Sequence, residues 1–454
     1  MNKDNRGIRV FLEEFVLCYA VIKWTALAVL SGLVVGGAVS LFMKLLEFSI
    51  GEAGKLTGIW HYAILPLGLA ASTLMVHYLA PDASGHGTEK VVEAVHERAG
   101  QIDVKVVPVK MITTIVTVAA GGSAGKEGPA TQIAAGLTST LARLLKFNDL
   151  DKKKLVVCGV SAGFAAVFGT PVAGAVFALE VLYIGQIFYD VLFASFLSGV
   201  VAWRTALSLG LEYSFFPVAE HLPLFSPQSF LWTLAAGAFF GLVSLCFIEI
   251  MNFSEKWFHD LKAPLVAKAL LGAALILMLT YFVGDSYFGL SEAGMVSVLH
   301  GGRVSPWAWL WKILMTVLTL SCGGSGGVVT PIFFIGAAAG SAFAQFFSLN
   351  PITYASWGLV GVLAGSANAP LASTIMAVEL LGGQAAPFAA VVSVTSFMIV
   401  GHRSVYPSQL LQRSKSSLLD VPEKGRRIDQ DLTVPVPERS PVLGHLSLRM
   451  KRKK

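Results

Sequence analysis

The chain has 454 residues, of which 54% are hydrophobic and only 14% are charged, and its formal net charge is +6. Soluble domains carry about a quarter charged residues, so this composition, with a mean hydropathy of +0.67, excludes an ordinary soluble protein. Forty-five glycines fit closely packed membrane helices, because small residues let helix backbones approach one another.

Basic residues gather at both ends of the chain, at Lys3, Arg6 and Arg9 and again within residues 413–454. This pattern predicts a multi-pass protein of the cell membrane with both termini in the cytoplasm. A basic tail that binds nucleic acid is the weaker alternative, so we expect the lipid bilayer as a partner and no nucleic acid. The four cysteines stand singly and predict neither a metal site nor a disulfide framework.

Apolar runs divide the chain into five parts. Residues 1–23 are amphipathic and predict a segment that lies along the membrane interface. Residues 24–211 form a first membrane repeat, and residues 229–410 form a second, with a polar linker over residues 212–228. Residues 411–454 are polar and basic and predict a mobile tail.

Each repeat begins with long apolar runs and continues with shorter ones that Gly and Pro interrupt. Many of the shorter runs fall below the ~20 residues that span a bilayer, and broken helices occur at membrane depth only where they line a protected cavity. A polar loop is predicted over 81–105 and a Gly-rich bend over 284–304. The predicted apolar runs are 24–50, 59–80, 106–120, 129–145, 155–168, 171–187 and 188–211, then 229–252, 265–283, 306–321, 331–348, 353–365, 370–383 and 386–401.

The segment 121–129, Gly-Gly-Ser-Ala-Gly-Lys-Glu-Gly-Pro, places Lys126 and Glu127 side by side between two apolar runs. Pro129 suits the first turn of a helix, where its missing N–H costs nothing. The two charged residues are therefore predicted at a helix N-terminus, where backbone N–H groups and the helix dipole favour an anion. Ionisable residues at membrane depth indicate a functional site.

The chain repeats itself at a nearly constant spacing. Residues 121–129 match residues 323–331, and residues 159–163 match residues 361–365, both at an offset of 202. The segment from Pro171 to Glu180 matches the segment from Pro370 to Glu379 at an offset of 199. Two homologous halves with paired broken helices predict a binding site where the halves meet. The repeat leaves open whether the halves are parallel or inverted.

Three Gly-x-Ser-x-Gly motifs, centred on Ser123, Ser161 and Ser325, match the nucleophile elbow of hydrolases. That elbow requires a preceding strand and a His–acid pair within reach, whereas these motifs have membrane-like flanks. Small residues at helix contacts are the favoured explanation. A membrane-embedded serine hydrolase that uses Ser123 or Ser161 stays the alternative from another class.

The signature blocks resemble those of the CLC family of chloride channels and chloride/proton exchangers. Residues 125–129 are similar to the family's G-(K/R)-E-G-P block, and residues 326–331 are similar to its G-G-x-F-x-P block, with Val329 in place of the usual phenylalanine. Tyr406 stands at the position of the family's pore tyrosine, and Lys110 ends a Pro-Val-Lys run that the family also carries. The similarity extends from about residue 20 to about residue 410.

This resemblance implies an all-α membrane fold of two inverted halves, a homodimer, and one anion pathway in each subunit. It implies no enzyme activity and no cofactor, with the chloride ion as the ligand. Glu127 matches the gating glutamate, whose carboxylate can occupy an anion site and leaves it to the anion when protonated. Backbone N–H groups of Gly128, Val328 and Val329 are then expected to donate to the anion, with Lys126 and the Tyr406 hydroxyl nearby.

Residues 85–89 depart from the family pattern, which usually reads G-S-G-I-P. His86 replaces the serine that would contact the central anion, and it lies between Gly85 and Gly87. An imidazole N–H can donate to an anion. The alternatives are that Ser84 takes this role after a slip of one residue, or that His86 is a turn residue that faces water.

The second departure concerns protons. Glu180 keeps the first glutamate of the family's corresponding helix, but Val181 stands where exchangers commonly carry the internal proton-transfer glutamate. Valine cannot carry a proton, so the sequence favours passive conduction of chloride or a similar small anion, with a chloride/proton antiporter as the alternative. Glu180 and its repeat partner Glu379 are interpreted as structural groups that cap or pair helices.

Overall fold

The computed structural model describes residues 3–216, 218, 220, 222–416 and 425–428. The first half contains eight helices: α1 Lys3–Ala53, α2 Ile59–Leu79, α3 Thr88–Glu97, α4 Val106–Ala119, α5 Glu127–Leu144, α6 Asp149–Phe168, α7 Pro171–Glu180 and α8 Tyr189–Ser208. The second half contains eight more: α9 Pro227–Asp260, α10 Leu265–Val283, α11 Glu292–Leu299, α12 Ala308–Ser321, α13 Val329–Phe347, α14 Pro351–Ala367, α15 Pro370–Leu381 and α16 Ala386–Val400.

Long apolar helices and short broken ones alternate as the sequence predicts. Among the described residues, seven helical segments are long and apolar enough to cross a membrane, and four apolar helices are shorter. Many large side chains on the outer surface are apolar and exposed, as at Phe48, Leu242 and Phe282, which suits contact with lipid tails. The predicted all-α membrane fold is confirmed.

Three boundaries differ from the sequence prediction. α1 runs without a break from Lys3 to Ala53, so no structural boundary separates residues 1–23 from the apolar run that follows. α3 lies within the predicted polar loop 81–105, and α11 lies within the predicted bend 284–304. Both helices have ten residues or fewer, too few for their apolar periodicity to stand out against polar neighbours.

The predicted tail over residues 411–454 lies mostly outside the described residues. Its described parts form a small sheet, in which β1 (Tyr183–Ile184) pairs in parallel with β2 (Leu410–Leu411), and β2 pairs antiparallel with β3 (Arg426–Arg427). Lys415 donates from Nζ to Asn368 Oδ1 at 2.6 Å, and its burial lowers the pKa of this lysine to about 7. The start of the tail is therefore fixed against the membrane domain.

The two halves meet at the repeated glycine blocks. Gly125 and Gly327 exchange two backbone hydrogen bonds of 2.7 Å each in an antiparallel bridge. The flanking contacts are also reciprocal: the Ser123 N–H donates to the Thr319 hydroxyl at 3.1 Å. In the mirrored contact, the Ser325 N–H donates to the Thr117 hydroxyl at 3.0 Å. Reciprocal contacts of this kind arise where two inverted copies face each other across a pseudo-twofold axis.

A second reciprocal contact joins α7 and α15. Glu180 accepts hydrogen bonds from the N–H groups of Leu371 and Ala372 at the start of α15, at 3.1 and 2.8 Å. Glu379 accepts from the N–H groups of Val172 and Ala173 at the start of α7, at 3.0 and 2.8 Å. Each carboxylate thus satisfies orphan donors of the partner helix and complements its dipole, in agreement with the structural role inferred from the repeat.

Helices α13 and α14 approach at backbone distance. A Cβ added to Gly340 would overlap the Tyr354 carbonyl, and one added to Gly336 would overlap the carbonyl of Gly358. Small residues permit such contacts between membrane helices. Since α13 begins at the glycine block, this packing helps to fix the position of its N-terminus.

We expect Gly340→Ala to destabilise the fold by about 1–3 kcal/mol, because the added methyl group forces two backbones apart. The measurement is the apparent melting temperature of the purified protein in detergent, which should fall by several degrees. Gly37→Ala is the matched control, since Gly37 also lies inside a helix but has open space around its Cβ position. Equal melting temperatures for the two variants would contradict the proposed tight contact.

Candidate functional site

Glu127 is the first residue of α5 and is fully buried where the two halves meet. Its Oε2 accepts a 3.0 Å hydrogen bond from the Thr330 N–H in the other half, and its Oε1 accepts from the Thr330 hydroxyl. The carboxylate lies over Gly125, where a Cβ would stand only 2.7 Å from Oε2. The side chain therefore occupies a place that backbone N–H groups make favourable for an anion.

The N-terminus of α13 supplies the opposite side of this site. Val328 and Val329 are buried there, and the donation of their N–H groups to an anion stays a prediction. The donors to Glu127 belong to the next residue, Thr330. Sequence reasoning missed this residue. Its repeat partner is Gly128, at the same offset of 202 residues, so an explicit alignment of the two halves would have pointed to it.

Lys126 does not pair with Glu127. Its ammonium instead lies 2.7 Å from the Glu292 carboxylate at the start of α11. The ion pair of Lys126 therefore joins the two halves of the chain. Glu292 was missed because the bend that holds it was predicted to have no helix.

The loop before α3 packs against the N-terminus of α5. Gly85 and Gly87 adopt positive φ angles of 67° and 66°, which an L-residue rarely accepts. A Cβ on Gly87 would overlap the Gly128 carbonyl, and a Cβ on Gly128 would overlap the His86 carbonyl. Glycine at both positions therefore brings His86 next to Gly128.

Lys110 on α4 binds the loop that precedes α3. Its buried ammonium donates to the carbonyl oxygens of Ala83 and Gly85, at 3.0 and 2.6 Å. The lysine thus positions the loop through its carbonyl groups. Lys312, missed by the sequence analysis, does the same in the other half: it is fully buried and donates to Tyr287 O, Gly289 O and Ser291 Oγ at 2.8–3.1 Å. It lies 202 residues after Lys110.

His86 is buried, with 6% of its surface exposed, so the alternative of a water-facing turn residue is wrong. Its Nε2 lies 3.4 Å from the Glu255 carboxylate on α9, and its ring centroid lies 6.3 Å from that of Tyr406. Ser84, at the end of a 3₁₀ turn, is only partly buried.

Two buried polar atoms next to Glu127 are left without partners. Among the described residues, neither His86 Nδ1 nor the Tyr406 hydroxyl finds a hydrogen-bond partner of good geometry. Buried polar groups normally have a partner in the protein, in water or in a ligand. A small anion beside the N-termini of α3 and α5 would supply a hydrogen-bond partner for the Tyr406 hydroxyl and the His86 imidazole nitrogen.

Val181 is buried, and its carbonyl accepts a 2.9 Å hydrogen bond from Gln409 Nε2. Its side chain offers no titratable group. The elbow serines are also occupied: the hydroxyl of Ser123 lies 3.0 Å from that of Thr316, and Ser161 donates to the Ser195 carbonyl at 2.7 Å. Neither serine has a His–acid pair within hydrogen-bonding reach among the described residues, so the geometry that a serine hydrolase requires is not found there.

A carboxylate between the facing N-termini of broken helices, inside a bundle of apolar spans, is an arrangement typical of membrane transport proteins. The family model described as "Voltage gated chloride channel" matches residues 67–401. This chain therefore belongs to the voltage-gated chloride channel (CLC) family, whose members transport anions, and the resemblance of its signature blocks is confirmed.

Individual relatives agree with this assignment. A chloride/fluoride channel protein of Pseudomonas syringae pv. tomato is 34% identical over 412 residues, which make up 89% of this chain and 90% of that protein. The crystal structure of a CLC-type fluoride/proton antiporter matches with a TM-score of 0.81 and 28% identity, over 87% of this chain and 99% of the other. A slow cyanobacterial Cl⁻/H⁺ antiporter shares the fold, with a TM-score of 0.73 and 19% identity over 83% of this chain and 94% of its own.

We predict that Tyr406→Phe weakens anion binding without weakening the fold. Among the described residues the hydroxyl makes no hydrogen bond of good geometry, so the melting temperature should stay within about a degree of the parent's. Loss of one hydrogen bond to an anion should weaken binding by about tenfold, measured by isothermal titration with chloride and with fluoride. A clear drop in stability with unchanged anion affinity would instead give the hydroxyl a structural role.

Proposed function

We propose that the protein conducts chloride or a similar small anion across the membrane, with Glu127 as the gate. The observation that carries this proposal is the placement of the Glu127 carboxylate, which accepts the Thr330 N–H and hydroxyl at the facing N-termini of α5 and α13. The carboxylate there acts as a tethered anion. A free anion can bind the same donors only when the side chain leaves.

Protonation is the simplest way to release this gate. A neutral carboxyl group loses its attraction to helix N-termini and backbone donors, whereas a halide keeps its charge. Partial charges from N–H groups and hydroxyls hold an anion without the deep trap that a full cation would make. Acid should therefore favour the open gate.

We propose passive conduction because Val181 offers no proton carrier beside the buried Glu180, whose carboxylate is engaged with α15. Proton-coupled exchange is the second candidate. It is favoured by the similarity to a structure described as a fluoride/proton antiporter, at 28% identity. Fluoride is a second candidate anion beside chloride. The descriptions of the Pseudomonas syringae relative and of the fluoride/proton antiporter structure both name fluoride.

The oligomeric state, the ligand and the orientation in the membrane are proposed from the resemblance to the CLC family. We propose a homodimer with one anion pathway in each subunit, chloride as the bound ligand without a further cofactor, and both termini in the cytoplasm. Lys3 and the basic residues after Lys415 give this orientation its electrostatic support.

The gate is tested by anion efflux from liposomes across a pH series, with Glu127→Gln beside the parent protein. The parent's flux should rise as pH falls, because protonation removes the charge that competes with the anion. Glu127→Gln, which imitates the neutral side chain, should be fast and insensitive to pH. A mutant that keeps the parent's pH dependence would refute Glu127 as the gate.

Passive conduction and exchange are separated by the reversal potential in liposomes with defined chloride and pH gradients. For passive conduction, the reversal potential should follow the anion gradient alone. A reversal potential displaced by the pH gradient would establish exchange. Repeating the measurement with fluoride in place of chloride ranks the two anions.

A further inference from the structure

Two cavities adjoin on the side of the site that faces Lys126. The first, about 250 Å³, is lined by Lys126, Thr330, Glu212 and Glu292 among others. The second, about 510 Å³, is lined by Phe288, Ser291 and again Glu292. Because Thr330 also binds Glu127, the first cavity reaches the gate, and Glu292 stands where the two cavities meet.

The Lys126–Glu292 ion pair lies in this wall. The Lys126 side chain is only 11% exposed, whereas that of Glu292 is 39% exposed. Lys126 directly precedes the proposed gate residue and lines the first cavity, so its ammonium acts electrostatically on an anion in that cavity. With Glu292 attached, that positive charge is neutralised.

Other charges leave the cavity net negative while the pair is closed. Glu47 from α1 and Glu212 after α8 also line the first cavity, and Lys126 is the cation among its lining residues. Glu292 lies within electrostatic range of Glu127 and of Lys312. A passage lined by one sign of charge repels ions of that sign, so the closed pair disfavours anions in the cavity.

The backbone beneath Glu292 is firmly held, which leaves its side chain as the part that can move. Lys312 donates to Gly289 O and Ser291 Oγ just before the helix. Ser291 is held in a left-handed conformation, with φ of 55°. Because the Glu292 side chain is 39% exposed, water can replace Lys126 as the partner of its carboxylate, and rotation of the glutamate then opens the pair.

We propose that the Lys126–Glu292 pair is a second gate, in series with Glu127. In the closed state Glu292 neutralises Lys126. When Glu292 swings into the second cavity, the first cavity loses one negative charge, and the unpaired Lys126 ammonium attracts the anion toward Thr330. This inference rests on the proposed anion transport and adds a residue that controls access to it.

The test measures initial anion efflux from liposomes against anion concentration, for the parent, Glu292→Gln and Glu212→Gln. Glu292→Gln breaks the pair and should lower the half-saturating concentration about threefold, the size expected for a partly exposed ion pair. Glu212→Gln also removes one negative charge from this cavity but leaves the Lys126–Glu292 pair intact. It therefore measures how much of the change comes from the charge of the cavity alone.

A double-mutant cycle isolates the pair. In a Lys126→Met background, Glu292→Gln should produce no gain beyond that of Glu212→Gln in the same background. Glu292→Asp, which keeps the charge but shortens the side chain, should reproduce part of the gain and provides a second variant if the glutamine protein is unstable in detergent.

The outcomes separate the two proposals. A parent protein without anion flux overturns the proposed transport itself. A transporting parent whose half-saturation is unchanged by Glu292→Gln, or changed equally by Glu212→Gln, overturns the second gate. A gain specific to Glu292 that disappears in the Lys126→Met background supports it.

Discussion

The pair of backbone hydrogen bonds between Gly125 and Gly327 is the constraint around which the site is built. Glycine is required because the two strands of chain approach too closely for side chains: a Cβ on Gly327 would stand 2.7 Å from the Gly128 nitrogen. The bridge sets two helix N-termini face to face inside an apolar bundle. Their aligned dipoles create positive potential at a depth where a bare cation would be costly. The positive potential that the Glu127 carboxylate meets at this depth thus begins in the backbone.

A buried carboxylate needs compensation, and this fold supplies it with dipoles in place of a direct counter-ion. Glu127 is held by the N–H and hydroxyl of Thr330, while the adjacent ammonium is engaged by Glu292. A direct salt bridge at full burial would fix the side chain strongly, because separating the charges would leave one of them unpaired. Hydrogen bonds to neutral donors are weaker and can be exchanged for bonds to a halide. Under the proposed gating, the hydrogen bonds from Thr330 hold the carboxylate while Glu292 engages Lys126, so an anion can replace the carboxylate.

Much of this arrangement can be predicted from the sequence, because apolar runs and helix-start residues act within short stretches of the chain. Long apolar runs predict the membrane-spanning helices, and the Gly-rich block ending at Pro129 predicts where α5 begins. The offset of 202 residues predicts that the second half repeats the first. The short helices α3 and α11 were missed, since ten residues or fewer carry too little periodicity. The Lys126–Glu292 pair was missed for another reason: partners 166 residues apart in sequence meet only through the tertiary fold. Burial of His86 likewise depends on the close approach of Gly87 to Gly128.

Lys110 and Lys312 anchor equivalent loops in the two halves, yet the loops present different chemistry: an imidazole from His86 on one side, a carboxylate from Glu292 on the other. The two halves therefore keep the same lysine anchor for their loops but differ in the side chains that these loops carry. Among the described residues, one loop brings a buried imidazole nitrogen without a good hydrogen-bond partner, and the other brings a carboxylate that engages Lys126. One repeated scaffold thus surrounds a single buried carboxylate with two unlike chemical groups.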